Sequence, residues 1–459
     1  MASYSIVGLG KLGASMAAGI ASRGHHVVGV DLDGARVDRV NAGRAPVFET
    51  GLDELIAANR ERLRATTEYR TAILASDVTL VVVPTPSLPS GEFSLRHAAA
   101  AFECIGTALA AKVGYHLVVL VSTVLPGASR RLLSILQERS GKTCGADFGL
   151  CYHPQLVALG SVIRDFLHPA FTLIGEHDER SGNTLASALA EVLPDPPPTR
   201  RLTLENAELA KIALNTFVTM KITFANQLAD LCERLPQGDV DAVTAAVGLD
   251  ARVGNGSLHG ALGYGGPCFP RDNLALAHMA RRLGVPADLW ETTDRLNRSL
   301  PSRLLPRLGV SIDEGTTVAI LGLAYKPLSN TLDESQGVLL AEDLLRRGVR
   351  VVAHDPLAAQ FPPDDALAAR GLTLMSVREC LDAAAVVIIA NPEPVYAQLE
   401  ADDFMRSGRP TITVVDCWRL LGEKLSNRPG IRYVAIGRSL DDAGNDARLG
   451  SLSLVTLER

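Results

Sequence analysis

The sequence predicts an α/β chain in which two doubly wound, parallel-sheet domains flank a helical middle. Three observations carry that prediction. Strand-like apolar runs alternate with helix-like stretches from the N-terminus, and such alternation builds parallel sheets. The same plan, strand then glycine turn then helix then strand ending in Asp, occurs twice, at residues 4–31 and again at 316–355. Between the two copies lies residues 206–235, apolar at helical spacing and without glycine or proline.

"YSIVGLG" is a short apolar run that ends in glycines, "KLGASMAAGIASRG" has helical spacing and stops at Gly24, and "HHVVGVD" is the next strand. Further strands are expected at "DVTLVVVP", "HLVVLVS" and "TLIG", with helical stretches between them. Near-continuous apolar runs suit strands buried on both faces. The proline-rich "PDPPPT" at 194–199 marks a domain boundary. The long helix follows, then more helical sequence broken by the loop "GYGGPCFPRD" at 263–272. The strand–helix plan restarts with "TTVAILGLAYKP", followed by the helix "VLLAEDLLRRG" and the strand "VRVVAHDP". The expected domains are 1–200, 201–305 and 306–459, the outer two Rossmann-like and the middle one helical.

At 459 residues the chain can bury a large core, and 47% hydrophobic with 21% charged residues fits a soluble globular protein. A net charge of -6 gives no whole-chain attraction to a polyanion, so no nucleic-acid partner is expected. "MASYSIVGLG" lacks the basic segment and apolar core of a signal peptide, and runs such as "AAAVVIIA" are too short to cross a bilayer. The seven cysteines form no CxxC or Cys/His cluster. Neither a disulfide framework nor a metal site is expected, a cytoplasmic setting is, and six of the seven read as small apolar fillers.

Gly8-Leu9-Gly10-Lys11-Leu12-Gly13 is a full GxGxxG between a strand and a helix, and Asp31 ends the next strand. The first glycine makes the turn, the second admits a pyrophosphate and the third lets helix and strand pack closely; the helix N-terminus favours the phosphates. Asp31 can accept bonds from the adenosine ribose hydroxyls and would repel a 2′-phosphate, which selects NAD over NADP. Arg36 softens that selection.

Cys268 stands between Pro267 and Pro270, after glycines at 263, 265 and 266 that let the backbone approach a ligand closely. A lone cysteine is ordinarily a core filler. In a NAD enzyme a thiolate has a specific use: it adds to an aldehyde, and the resulting tetrahedral carbon can give up a second hydride and leave a thioester. Lys211 or Arg271 would favour the thiolate if either lies nearby.

The chain resembles the UDP-glucose/GDP-mannose dehydrogenase family through "IVGLGKLG", "GVDLD", "PVFETGL", "VPTPS", "STVLPG", "AELAKIALNTFVTMKITFANQ", "DARVGNGSLHGALGYGGPCFPRD", "LGLAYKP" and "HDP". The resemblance implies oxidation of the C6 alcohol of a nucleotide-linked hexose to a carboxylate by two NAD+ in succession. By match, Cys268 is the nucleophile, and Lys211 and Asn215 stabilise the oxyanion. Thr123 holds a water, and Asp272 assists proton transfer. Thr85, Pro86 and Thr123 would face the cofactor, and Gln155 and Leu156 the substrate. Tyr264, Gly265 and Gly266 match the sugar-binding loop, Lys326 a substrate lysine, and Arg252 an arginine offered across a homodimer interface in the helical domain. Singly, each has a plainer reading: Lys211 as a solvated helix lysine, Arg252 and Lys326 as surface charges, Asp272 as a helix N-cap.

The sequence also departs from the family. Gln155 and Leu159 in "HPQLVALG" replace two glutamates, the first a favoured base for thioester hydrolysis. In "KPLSNTLDES", Asn330 and Thr331 stand at acidic positions and Asp333 where an arginine falls; Arg271 replaces a lysine, and Gln227 a glutamate. Most of the machinery for the first oxidation is expected to be present, with that for hydrolysis, and substrate recognition with it, altered. The readings that remain are a four-electron dehydrogenase, a two-electron enzyme that releases the aldehyde, and a nucleotide-sugar binder without turnover. "GYGGPCFP" favours a UDP-hexose, whereas "STVLPG" and "DFLHPAFTLIG" favour a GDP-sugar; the first weighs more.

Overall fold

The computed structural model describes residues 2–195, 197–312, 315–361, 371–405 and 411–457, with side chains to residue 451. The chain divides into two compact units, Met1–Leu214 with Ala275–Pro286, and Asn215–Leu274 with Ala287–Arg459.

The first unit is built on eight strands: β1 (Ser3–Val7), β2 (His26–Val30), β3 (Leu63–Thr66), β4 (Val78–Val81), β5 (His116–Leu120), β6 (Phe148–Tyr152), β7 (Thr172–Glu176) and β8 (Thr199–Thr203). They lie in the order β3-β2-β1-β4-β5-β6-β7-β8. The first six are parallel, in the doubly wound order that places a ligand crevice at the β1/β4 switch. The expected all-parallel sheet holds only as far as β6. β7 pairs antiparallel with β6, with Cys151 opposite Glu176, and β8 runs parallel to β7. β8 is exposed throughout, and Arg200 and Arg201 keep this sheet edge charged. The fully buried β4, β5 and β6 explain their apolar runs.

A polar network crosses three of these buried strands. Ser5 bonds Thr79 at 2.7 Å, Thr79 bonds His116 Nε2 at 2.7 Å, and His116 Nδ1 meets the Ser76 carbonyl at 3.0 Å. Burial, with Lys112 beside it, pushes the His116 imidazole down to about 4. An unfolded histidine titrates near 6.5, so between those values the unfolded chain binds the proton and the folded chain does not. The stabilisation is fully present above pH 6.5 and falls by about 3 kcal/mol as the pH drops to 4. Denaturant titrations from pH 7.5 to 4.5 are expected to show a shallower acid-side loss for His116→Gln than for the unsubstituted protein; equal slopes would show that His116 is not the group.

The second unit repeats the plan in six strands, β9 (Thr317–Leu321), β10 (Arg350–His354), β11 (Thr373–Leu374), β12 (Val386–Ile389), β13 (Ile412–Asp416) and β14 (Ile431–Ala435). They are all parallel, in the order β11-β10-β9-β12-β13-β14. Both glycine turns meet the same steric demand. Gly8 has φ +97° and Gly322 φ +101°. A Cβ on Gly13 would lie 1.9 Å from the Gly8 carbonyl oxygen, and one on Gly337 2.3 Å from that of Gly322. The second copy differs by an excursion, residues 323–335, between turn and helix.

The long helix spans Leu204–Cys232. Leu214, Phe217, Phe224 and Leu231 follow 3–4 spacing along it and stay between 38% and 58% exposed. Of the six cysteines expected as fillers, Cys151, Cys232, Cys380 and Cys417 are buried; Cys144 is half-buried and Cys104 exposed. Cys104 sits on an outer position of the amphipathic helix Arg96–Ala110, which periodicity alone leaves open. Among the described residues no helix is long and apolar enough to cross a membrane.

Candidate active site

In the first unit the three motif glycines do different work. Gly8 turns the chain, with its N–H donated to the Val30 carbonyl at 2.7 Å, and a Cβ there would meet the Val82 carbonyl oxygen at 2.5 Å. Gly13 packs the helix Lys11–Ser22 onto that turn. Gly10 is open: a Cβ there would find no described atom within 4 Å. Lys11 and Leu12 are half-buried in the first turn, which holds no acidic residue. An open glycine backing the positive end of a helix fits a pyrophosphate. Asp31 accepts the Leu9 N–H at 2.7 Å and the Asp33 N–H at 3.0 Å, and the Arg36 guanidinium rests 3.4 Å from it. The same arginine lies 3.5 Å from Asp33, so it is shared between the two aspartates.

Two loops at the strand ends are tied together. Buried Thr85 donates its hydroxyl to the Thr123 carbonyl at 2.7 Å, while Pro86 is exposed and Thr123 half-buried. Glu208 supports the second loop and was not evident from the sequence. Its two carboxylate oxygens accept the N–H groups of Gly127 and Ser129, each at 2.7 Å, at the start of the helix Ala128–Ser140. Burial raises its pKa and those donors offset part of the rise. The available hint was a glutamate three residues before Lys211 on the same helix. Lys211 is itself buried, 8% exposed, rather than a solvated helix lysine. Gln155 is half-buried, its Nε2 donating to the His153 carbonyl at a long 3.5 Å, and Leu156 and Leu159 are half-buried beside it in sequence.

In the second unit Cys268 is exposed and immediately precedes the helix Phe269–Arg282. Its carbonyl accepts the Asp272 N–H at 2.8 Å. Asp272 is not the N-cap: it lies in the first turn, 0% exposed. Its Oδ2 accepts a bond from the Asn215 amide at 2.6 Å, and the Arg271 Nε lies 3.4 Å from its Oδ1. Asn215 is therefore an oriented, buried amide and not a helix-surface one. Asn273, also overlooked in the sequence, bonds Thr219 at 2.9 Å and the Phe269 carbonyl at 2.9 Å, which fixes the helix start from the long helix.

The glycines before Cys268 serve the protein itself. A Cβ at Gly263 would sit 2.1 Å from Asn297 Oδ1, one at Gly265 2.4 Å from the Glu334 carbonyl oxygen, and one at Gly266 2.7 Å from the Tyr325 ring. Gly266 has φ +83° and donates its N–H to the Asp333 carbonyl at 2.8 Å. The room that sequence assigned to a ligand is thus filled on these sides by the 325–336 segment and Asn297. Asp333 keeps its side chain exposed and serves through its backbone. Lys326 is half-buried with Nζ 5.9 Å from the Tyr325 ring centroid, Asn330 donates to the Gln360 carbonyl at 2.8 Å, and Gln227 faces Asp230 at 3.5 Å. Arg252 keeps its guanidinium 89% exposed and pairs it with Asp250 at 2.7 Å.

Comparison with known proteins gives the chain its family. Residues 2–192 match the NAD binding domain of the UDP-glucose/GDP-mannose dehydrogenase family, 205–299 its central domain and 319–423 its UDP binding domain. The chain is 37% identical over 361 residues to the UDP-glucose 6-dehydrogenase AglM of Haloferax volcanii, covering 78% of this chain and 84% of that one. It is 32% identical over 425 residues to the GDP-mannose 6-dehydrogenase of Azotobacter vinelandii, covering 90% and 96%. The solved UDP-glucose dehydrogenase of Pyrobaculum islandicum superposes with a TM-score of 0.84 at 34% identity, covering 96% of this chain and 98% of that one. With an NAD-binding unit, a thiol at a helix start and matches along all three segments, the chain belongs to the UDP-glucose/GDP-mannose dehydrogenase family.

Proposed function

We propose that the protein oxidises the C6 alcohol of a UDP-hexose to the uronate in two hydride transfers through a thioester on Cys268. The observation that carries the reading is the buried pair between Asn215 on the long helix and Asp272 in the first turn of the helix that Cys268 precedes. NAD+, when bound at Gly10 and Asp31, accepts one hydride in each oxidation. The alcohol loses its hydroxyl proton and a hydride to give the aldehyde. The Cys268 sulfur adds to the aldehyde carbon, and the positive end of its helix favours the thiolate this needs. Lys211 and the Asn215 amide stabilise the oxyanion, which re-forms a carbonyl as the second hydride leaves. Water then cleaves the thioester to the carboxylate and returns the thiol. Thr123 and Gln155 hold that water; Gln155 orients it without taking its proton, so Asp272 is left as the carboxylate for that task. Tyr264, Gly265, Gly266, Leu156 and Lys326 bind the sugar nucleotide.

A homodimer is proposed on the apolar stripe of the long helix, a surface that favours a protein partner, with Arg252 reaching the partner's substrate. Its test is the molar mass in solution. The substrate and the electron count are tested together by NADH formed per nucleotide sugar consumed, across UDP-, GDP- and TDP-hexoses. A ratio of two with a UDP-hexose is expected. A ratio of one would mean that the aldehyde leaves, a result that Gln155 makes worth looking for. NADH from a GDP-sugar alone would overturn the base, and none from any sugar would overturn the reading.

A further inference from the structure

We infer that Asn297, on the helix Asp288–Arg307, is the positioning residue that aims the Cys268 loop, and that Gly263 exists to receive it. The inference rests on the proposed function for what the loop does, and on the structure for how it is held. Asn297 is 5% exposed, and its one side-chain amide grips both polar atoms of the Tyr264 backbone. Oδ1 accepts the Tyr264 N–H at 2.8 Å, and Nδ2 donates to the Tyr264 carbonyl at 2.9 Å. Such a two-bond grip fixes the peptide in both rotation and translation, as a strand neighbour would. The Tyr264 carbonyl takes a second bond from Gln336 Nε2 at 3.1 Å, and the Tyr264 ring packs edge-on against Phe269 at 6.3 Å. Tyr264 is therefore immobilised from both backbone and ring, four residues before the nucleophile.

The grip leaves no room for a side chain at position 263. Gly263 is not in the left-handed region, so alanine would not strain φ there; the nearest obstacles are the Asn297 amide at 2.1 Å and Gln336 Oε1 at 3.0 Å. The next residue on the helix extends the clamp. Arg298 bridges Asp294 at 2.8 Å and Glu334 at 2.7 Å. Glu334 has φ +49°, a strained value for a residue with a side chain, and its carbonyl is the surface on which Gly265 rests. Adjacent residues of one helix thus hold the cysteine loop, through Tyr264, and the segment it rests on, through Glu334.

The test combines two substitutions with two readouts. Asn297→Asp keeps the acceptor and loses the donor. It is expected to lower kcat by roughly tenfold to a hundredfold, the usual cost of a small misplacement of reacting groups. KM for NAD+ should stay within about twofold, because that site belongs to the other unit. Gly263→Ala alone should lower kcat comparably, whereas in an Asn297→Ala background it should add little, since the atom it strikes is gone. Alkylation of Cys268 by iodoacetamide, followed by mass spectrometry, reads loop position without turnover and should change at least about threefold in Asn297→Asp. Losses that simply multiply in the double variant would overturn the inference, as would kcat and alkylation both unchanged in Asn297→Asp. Should Asn297→Ala fail to fold, Asn297→Asp and Gly263→Ala still decide it by the alkylation rate. Failure of the functional reading is separate: it would show as no NADH from the unsubstituted protein.

Discussion

Cys268→Ala is expected to abolish uronate formation, with a loss on the order of a thousandfold or more, while leaving the fold intact. On the proposed route the sulfur makes the aldehyde carbon tetrahedral, so without it the second hydride would have no departure point. Cys268 is exposed, and an exposed cysteine cut back to alanine moves stability by about 0.5 kcal/mol or less. A rate loss beside an unchanged melting temperature therefore isolates chemistry from folding. The variant should form at most one NADH per sugar. Two NADH per sugar from Cys268→Ala would demote the thiol to a bystander. The companion experiment is Gln155→Glu, which puts a carboxylate at the position proposed to hold the water and should speed thioester breakdown in a single turnover. No change there would mean that position 155 does not limit hydrolysis.

Asp272→Asn is the second large effect, expected to lower kcat by roughly 10²- to 10⁴-fold. The carboxylate has two tasks. It accepts the Asn215 amide at 2.6 Å, which fixes that amide's orientation for the oxyanion proposed above, and it is the fully buried acid in the first turn after Cys268. Asparagine can still fill the space, but it brings a second amide to face the first and carries no charge to take a proton. Because the two side chains act as one unit, Asp272→Asn and Asn215→Ala should be strongly non-additive in kcat. Near wild-type turnover in Asp272→Asn, or losses that multiply, would show that the pair has no joint role.

The periodic parts of the fold were legible because burial on both faces leaves a simple trace. β1, β2, β4 and β5 are apolar runs beside glycine or proline. β3 and β8 left none: Leu-Arg-Ala-Thr and Thr-Arg-Arg-Leu-Thr alternate with charge or lie exposed at an edge. The reversal at β7 was invisible for a different reason, since strand direction is set by the path of the connection and not by the residues of the strand. The site divided the same way. GxGxxG, Asp31 and the cysteine loop announce themselves over a few residues. Asn297 and Glu208 act on backbone 33 and 79 or more residues away, and a polar residue on a helix gives no sign of which distant loop it will hold.

The twin turns after β1 and β9 have a practical lesson for anyone grafting cofactors. Both need a glycine at φ near +100°, both crowd a second glycine in the following helix, and both end the neighbouring strand with an aspartate. They differ by one donor: one carboxylate oxygen of Asp355 accepts the N–H groups of both Leu323 and Ala324, each at 2.9 Å, where Asp31 takes that of Leu9 alone, and the other oxygen accepts that of Leu357 as Asp31 accepts that of Asp33. Replacing residues around Gly322 with those around Gly10 would copy the shape of the first turn without vacating the second, so a chimera aimed at a two-cofactor protein would have to cut out residues 323–335 first, and with them the wall that supports the cysteine loop.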